Sequence, residues 1–222
     1  MTMQPMLTRR ILVQLASMLA IGGIAGWIQP AASQTTASRT LVATRNGTEI
    51  GMETISVDRT SRHTTAKMSV HLQVKMLGIT VYRFEQDSTE TWNGDQLDEL
   101  SSDTTDNGKR HTLRVSRQGS SLQRDADSMV STITPDSLPA TLCLEPHFQT
   151  ATLIHSVDGH LLHVTAQKVG MERIPIGNTQ AEVTHYMLSG DLTDDLWYDA
   201  DGTLVQRRST ATDHSVIQFT MR

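Results

Sequence analysis

From Met68 to Met76 the chain alternates without a fault: Met68, Val70, Leu72, Val74 and Met76 are apolar, while Ser69, His71, Gln73 and Lys75 are polar. Successive side chains of a strand point to opposite faces, so this stretch predicts a strand with one buried face. Weaker alternation recurs at residues 79–84, 112–117, 161–166, 183–188, 204–208 and 216–221, and β-branched residues dominate these runs as strands favour. Between the runs stand Asn46-Gly47, Asn93-Gly94, Asn107-Gly108, Asp158-Gly159 and Asp201-Gly202, whose residue types tolerate the positive φ of tight hairpin turns. With Leu77-Gly78 added, the pattern predicts an antiparallel meander of about ten strands or more.

Strand length narrows the fold. The hairpin running from about Thr64 to Met76 and back from Ile79 to Trp92 implies strands well beyond the usual ~5–6 residues. Strands that long must twist and coil, so the expected fold is all-β, an antiparallel meander forming a strongly curled sheet, barrel or half-barrel, with a β-sandwich as the alternative. Residues 125–152 hold Pro135, Pro139 and Pro146 and show no sustained alternation. They read as a connection with a short helix near Leu138 to Leu144, dividing a front meander (40–124) from a back meander (153–222).

The first residues carry a different signal. An acid-free start with Arg9 and Arg10 leads into an apolar stretch from Ile11 to Ile28 and then Pro30-Ala31-Ala32-Ser33. This is the layout of a cleavable export signal with small residues at the processing site. Gln14, Ser17, Gly22, Gly23 and Gly26 dilute the stretch below what a spanning helix of ~20 residues shows, so no stable membrane span is expected after cleavage. The pair Arg9-Arg10 resembles a twin-arginine signal, although ordinary signals also carry paired arginines. Residues 1–33 are thus expected to be a signal peptide and residues 34–222 a single all-β domain, periplasmic or secreted from a bacterium.

Charge then excludes one class of partner. Without the two signal arginines, 17 basic residues face 24 acidic ones, and nucleic acid calls for the opposite balance. The single cysteine, Cys143, leaves no disulfide to form within the chain.

Several motifs together carry a resemblance. Gly47 with Ile50-Gly51, Glu90-x-Trp92 with Leu97, Thr105-x-Asn107-Gly108, and Leu196-Trp197-Tyr198-Asp199-x-x-Gly202-x-Leu204-Val205 resemble a family of exported bacterial all-β proteins of unknown function. The chain is also distantly similar to uncharacterised periplasmic β-sheet proteins with a Trp-containing strand near the C-terminus. The resemblance implies an exported all-β domain and no assigned chemistry.

Candidate chemistry is sparse. His155, His160 and His163 gather around Asp158-Gly159 and could offer nitrogens to zinc or copper, but on one strand His160 and His163 face opposite ways, so no metal site is expected. The run Asp194 to Gly202 has Trp197 where a calcium loop needs an oxygen donor, and reads as a turn capped by aspartates. Cys143 has Glu145 and His147 nearby but nothing to position them, and no nucleophile elbow, zinc-protease, phosphate-loop or dinucleotide motif occurs. No cofactor is expected. Glu90, Trp92, Trp197, Tyr198 and Asp199 are the residues to single out, with the tryptophans packing at the sheet's ends and donating their N–H to a carboxylate such as Glu90 or Asp199.

The reading leans away from catalysis, toward a non-enzymatic binding or envelope-associated module for an apolar small molecule or an envelope protein. A periplasmic hydrolase built from scattered residues is second, and a structural or interaction domain third. The expected ligand site is an apolar groove lined by Val70, Leu72 and Val74 beside Trp92, with the connection from Pro135 to Pro146 as a lid. The signal itself makes one prediction: N-terminal sequencing of exported protein should begin at Gln34 or within a few residues of it, and a chain still starting at Met1 would mean an anchored protein.

Overall fold

The computed structural model describes residues 35–211 and 213–222; the expected signal peptide lies outside the described residues. Among the described residues there are fifteen strands and no helix. The front meander runs through β1 (Thr35–Arg45), β2 (Thr48–Arg59), β3 (His63–Met76), β4 (Ile79–Asn93), β5 (Gln96–Asp106), β6 (Lys109–Gln118), β7 (Ser121–Ala126) and β8 (Met129–Ile133). After the connection come β9 (Leu138–Pro139), β10 (Thr150–Ile154), β11 (Leu161–Ile176), β12 (Thr179–Gly190), β13 (Asp194–Tyr198), β14 (Leu204–Thr210) and β15 (Val216–Met221).

All fifteen belong to one sheet, in the order β8-β7-β6-β5-β4-β3-β2-β1-β15-β14-β13-β12-β11-β10-β9. The first and last strands pair antiparallel at its centre, with Leu41 opposite Met221 and Ala43 opposite Phe219, and so fuse the two meanders. Only β9 and β10 run parallel. No ladder joins β8 to β9 among the described residues, so the sheet is open and barrel-like rather than a closed barrel or a sandwich.

The curl follows from what the inner face must bury. One core cluster unites Leu41, Ile55, Val57, Met68 and Val70 from β1 to β3 with Leu162, Val164, Leu188, Leu196 and Tyr198 from β11 to β13. Strands so far apart in the sheet order share a core only if the sheet bends round on itself. It bends past closure. Leu153 of β10 belongs to that main core, whereas its neighbour Ile154 packs with Leu97, Leu100, Leu113 and Leu122 of β5 to β7. Neighbouring strand residues face opposite ways, so the end of β10, at Leu153 and Ile154, is buried on both sides and tucked against the front strands.

Two local expectations are corrected. Leu138 to Leu144 is no helix: Leu138–Pro139 forms β9, Leu142 sits at φ 55°, and Leu144 bridges Thr203. The residues from 125 onward are not all connection either, because β7 ends at Ala126, β8 spans Met129–Ile133 and β10 starts at Thr150. The intervening turn, Asp127-Ser128, takes φ of 49° and 70° without a glycine, which removes the usual sequence mark of a hairpin.

At Gly51 the backbones of β2 and β3 leave no room for a side chain. The glycine lies at φ 150° opposite Ala43, next to a register shift in the β1–β2 ladder, and a Cβ there would sit 1.9 Å from the carbonyl oxygen of His71. Backbone cannot yield as a flexible side chain does. Gly51→Ala is therefore expected to destabilise the protein by about 2 kcal/mol or more. Urea unfolding checks this; an unchanged midpoint would mean that β2 and β3 part freely to admit the methyl group.

Candidate functional site

The inner face of β4 differs from its neighbours. Gln86, Ser88, Glu90 and Trp92 share that face, and the first three are buried, so a polar row crosses the interior of an apolar sheet. Gln86 is anchored, its amide donating to the hydroxyl of Ser102 at 3.1 Å and to the carbonyl of Ser156 at 3.0 Å. Glu90 is 2% exposed and accepts the indole N–H of Trp92 at 3.0 Å, a contact made by residues two apart on one strand face. Its other oxygen shares a short hydrogen bond with the hydroxyl of Thr141.

Burial decides the charge of this group. Loss of solvent pushes the Glu90 carboxyl up to about 7, with the bonds from Thr141 and Trp92 opposing only in part. Glu53, the buried acid on β2 between Leu41 and Val70, is likewise pushed up to about 7 by burial, against the pull of the Arg207 charge. Arg207 is itself engaged by Asp194 at 2.6 Å. Cys143 is buried as well, and burial, then Glu90 and Glu53, hold its thiol well above the ordinary range. An unionised thiol is a poor nucleophile.

Over Glu90 and Trp92 runs the connection. Leu138, Pro139, Leu142, Leu144 and Phe148 form one side of a cleft of about 430 Å³, with Trp92, Arg59 and Thr64 on the other. The strap is pinned along its length: Ala140 N–H donates to Ile154 O at 2.9 Å, the Tyr198 hydroxyl to Leu142 O at 2.9 Å, Leu204 N–H to Cys143 O at 3.1 Å, and Glu145 N–H to Gly202 O at 3.0 Å. It is a fixed wall.

The other residues singled out in the sequence fall in separate places. Val70 is in the core; Leu72 and Val74 are half-buried beside it and line a broader groove of about 920 Å³ with Arg45, Lys75 and Arg83. Trp92 pairs with Thr64 and Val74 with Tyr82, an offset of ten residues along β3, or on the order of 30 Å. The structure therefore puts Trp92 at one end of the sheet and Leu72 with Val74 at the other. Asn107 and Gly108 form the tight turn between β5 and β6.

Leu196 and Tyr198 point into the main core, and Trp197 between them points outward, where Ile174 and Val183 of the β11–β12 hairpin cover it. Trp197 stacks on His185 at 4.5 Å and donates its N–H to Glu172, not to Asp199. Asp199 caps its turn, accepting from the backbone of Asp201 and Thr203 at 3.0 Å each while Gly202 N–H closes the turn, and it takes Arg39 Nε at 2.9 Å. Their contacts here are packing and turn contacts, and Gly202 also borders the cleft. Sequence reasoning missed Glu53, Arg59, Leu142 and Phe148, and only the apolar run Leu138 to Leu144 marked any of them.

The buried acids set a pH dependence. Their folded values lie above the unfolded one of 4.5, so the neutral form is favoured by folding, and that stability is full below pH 4.5 and lost as pH rises through about 7. Unfolding free energy should fall over this window by up to roughly 3 kcal/mol per acid. Glu90→Gln should remove its share of the slope in urea titrations at pH 5 and 8; an unchanged slope would mean Glu90 is ionised in the fold.

Residues 42–222 match the model of a family described as a domain of unknown function (DUF6134). No curated protein matches the chain. Among solved structures, the crystal structure of a beta-barrel-like protein of domain of unknown function DUF1849 from Brucella abortus is similar at a TM-score of 0.64 and 8% identity. The likeness covers 86% of this chain and 96% of that one, and at such identity it shows the fold alone.

Proposed function

The chain belongs to the DUF6134 family, a domain of unknown function, and we propose that it is a non-enzymatic binding module of the bacterial envelope that holds an apolar ligand in the cleft between Trp92 and the strap. The observation that carries this reading is the union of an apolar wall, Leu138, Leu142, Leu144 and Phe148, with one buried acid, Glu90, in a cleft of about 430 Å³. Small-molecule sites have this make-up: about 300–1,000 Å³, mostly apolar, with a few converging polar groups. With its proton affinity raised to about 7, the Glu90 carboxyl is neutral at lower pH and can donate a hydrogen bond there, where an ionised one would draw in water. The ligand this favours is a slender apolar chain ending in a hydrogen-bond acceptor, with Arg59 and Asp201 at the mouth to meet a polar end.

Export to the periplasm or beyond belongs to the same proposal, supported by the charge and apolar pattern of the first 33 residues. Among the described residues no helix is long and apolar enough to cross a membrane.

The test is displacement of a fluorescent fatty acid. Binding is expected, weakened by about tenfold or more in Trp92→Ala, which removes a wall, and in Thr64→Phe, which fills the space, each shown to be folded by circular dichroism. Leu72→Phe, at the far end of β3, should leave binding intact. Absence of binding, or loss only in Leu72→Phe, would overturn the assignment of this cleft.

A further inference from the structure

The segment His155 to His160 leaves the sheet between β10 and β11 and serves neither the cleft nor the main core. Its side chains converge. The Nδ1 atoms of His155 and His160 lie 2.8 Å and 2.6 Å from the same oxygen, Asp158 Oδ1, and the two rings stand 4.4 Å apart at 37°. One ligating atom from each of the three residues falls within 4.8 Å of the others. All three side chains are at least a third exposed, so an ion has access.

What distinguishes this group from ordinary surface histidines is the rigidity of its backbone. His155 N–H donates to His160 O at 2.9 Å and Gly159 N–H to His155 O at 2.8 Å, closing the loop on itself. From outside, buried Gln86 holds Ser156 O, and Arg124 donates to Gly159 O at 2.6 Å. Gly159 is pressed so close to Leu113 and Ala126 that a Cβ would meet Leu113 at 2.8 Å, at a φ of 74° that other residues resist. The front strands therefore fix the loop from below while the three donors face water. Sites held in this way on a rigid support bind with little ordering cost.

We propose that His155, Asp158 and His160 form a binding site for a divalent transition-metal ion of the zinc or copper class. Two imidazole nitrogens and one carboxylate oxygen suit these borderline ions and not calcium or magnesium, which take oxygen. Three protein donors leave a fourth position for water. Tetrahedral bonds of ~2.0–2.1 Å need donors about 3.3 Å apart, so the rings must withdraw from Asp158 by roughly 0.5 Å for His155 and 0.7 Å for His160, a shift that side chains at least a third exposed allow. His163 takes no part: its Nδ1 lies 3.3 Å from the Thr152 hydroxyl.

The experiment is calorimetric titration of the protein with zinc chloride at neutral pH, in a buffer that does not chelate. One equivalent should bind, magnesium and calcium should not compete, and cobalt(II) substituted for zinc should show the absorption of a tetrahedral ion. His160→Ala and Asp158→Asn should each weaken zinc by at least about tenfold, the double variant His155→Ala/His160→Ala should abolish the site, and His163→Ala should leave it unchanged. Circular dichroism should show each variant folded as the parent is. No saturable binding, or binding as tight in the double variant as in the parent, would overturn the proposal.

Discussion

The fold depends on the end of β10, where Leu153 and Ile154 are buried on opposite faces. An open sheet has two edges with unpaired backbone, and a curled one also has an inner face that must be filled. Here the back edge turns inside the front strands, so that Leu153 completes the main core and Ile154 completes the smaller one beneath β5 to β7. Side chains then do what a closing ladder would have done: Arg124 donates to Gly159 O and Gln86 to Ser156 O, each crossing from the front meander to the loop after β10. Both candidate sites are products of this overlap: the strap before β10 roofs the cleft, and the loop after it carries the histidines.

The same geometry explains why acids sit in the interior. A sheet that overlaps itself brings β4 under a strap rather than under another strand face, and a strap has backbone and hydroxyl groups to satisfy. Glu90 meets Thr141 and Trp92 there, whereas Glu53, deeper on β2, has one oxygen with no hydrogen-bond partner among the described residues and only the field of Arg207 to favour its charge. Burying an ionised carboxylate without a full set of partners costs several kcal/mol, and a raised proton affinity avoids much of that cost. Below about pH 7 the fold tolerates these acids by favouring their neutral form.

How much of this was legible follows from which faces are buried. The long hairpins declare themselves because β3 buries Ala66, Met68 and Val70 against alternating polar neighbours, and because turns such as Asn107-Gly108 use residues suited to positive φ. The strand β10 hides because its adjacent residues Leu153 and Ile154 are both buried and so do not alternate, and β8 hides because Met129 and Val130 are both exposed and its turn lacks glycine. The cleft was half legible. Glu90-x-Trp92 stood out, and the residues do share a face and a hydrogen bond, but the inward row Gln86, Ser88, Glu90 reads in sequence like any solvent-facing row. The separation of Trp92 from Val74 was legible too: a hairpin turning at Leu77-Gly78 pairs Trp92 with Thr64 and leaves Val74 beside the turn, as the register of β3 with β4 shows, so a groove joining the two was at odds with the hairpin itself.

The pinned strap also bears on whether the cleft holds a molecule or transforms one. A thiol beside a carboxyl is the raw material of nucleophilic catalysis, but only if the pair is arranged to produce a thiolate. Around Cys143 the arrangement works in the other direction: burial disfavours the thiolate, and any charge on Glu90 or Glu53 disfavours it further. Raising the pH to ionise the thiol would first ionise the two acids, adding negative charge beside it before it could react. The bonds from Tyr198, Leu204 and Ala140 that hold the strap also keep Cys143 out of water, so the conditions that shape an apolar wall are those that silence the cleft's strongest candidate nucleophile.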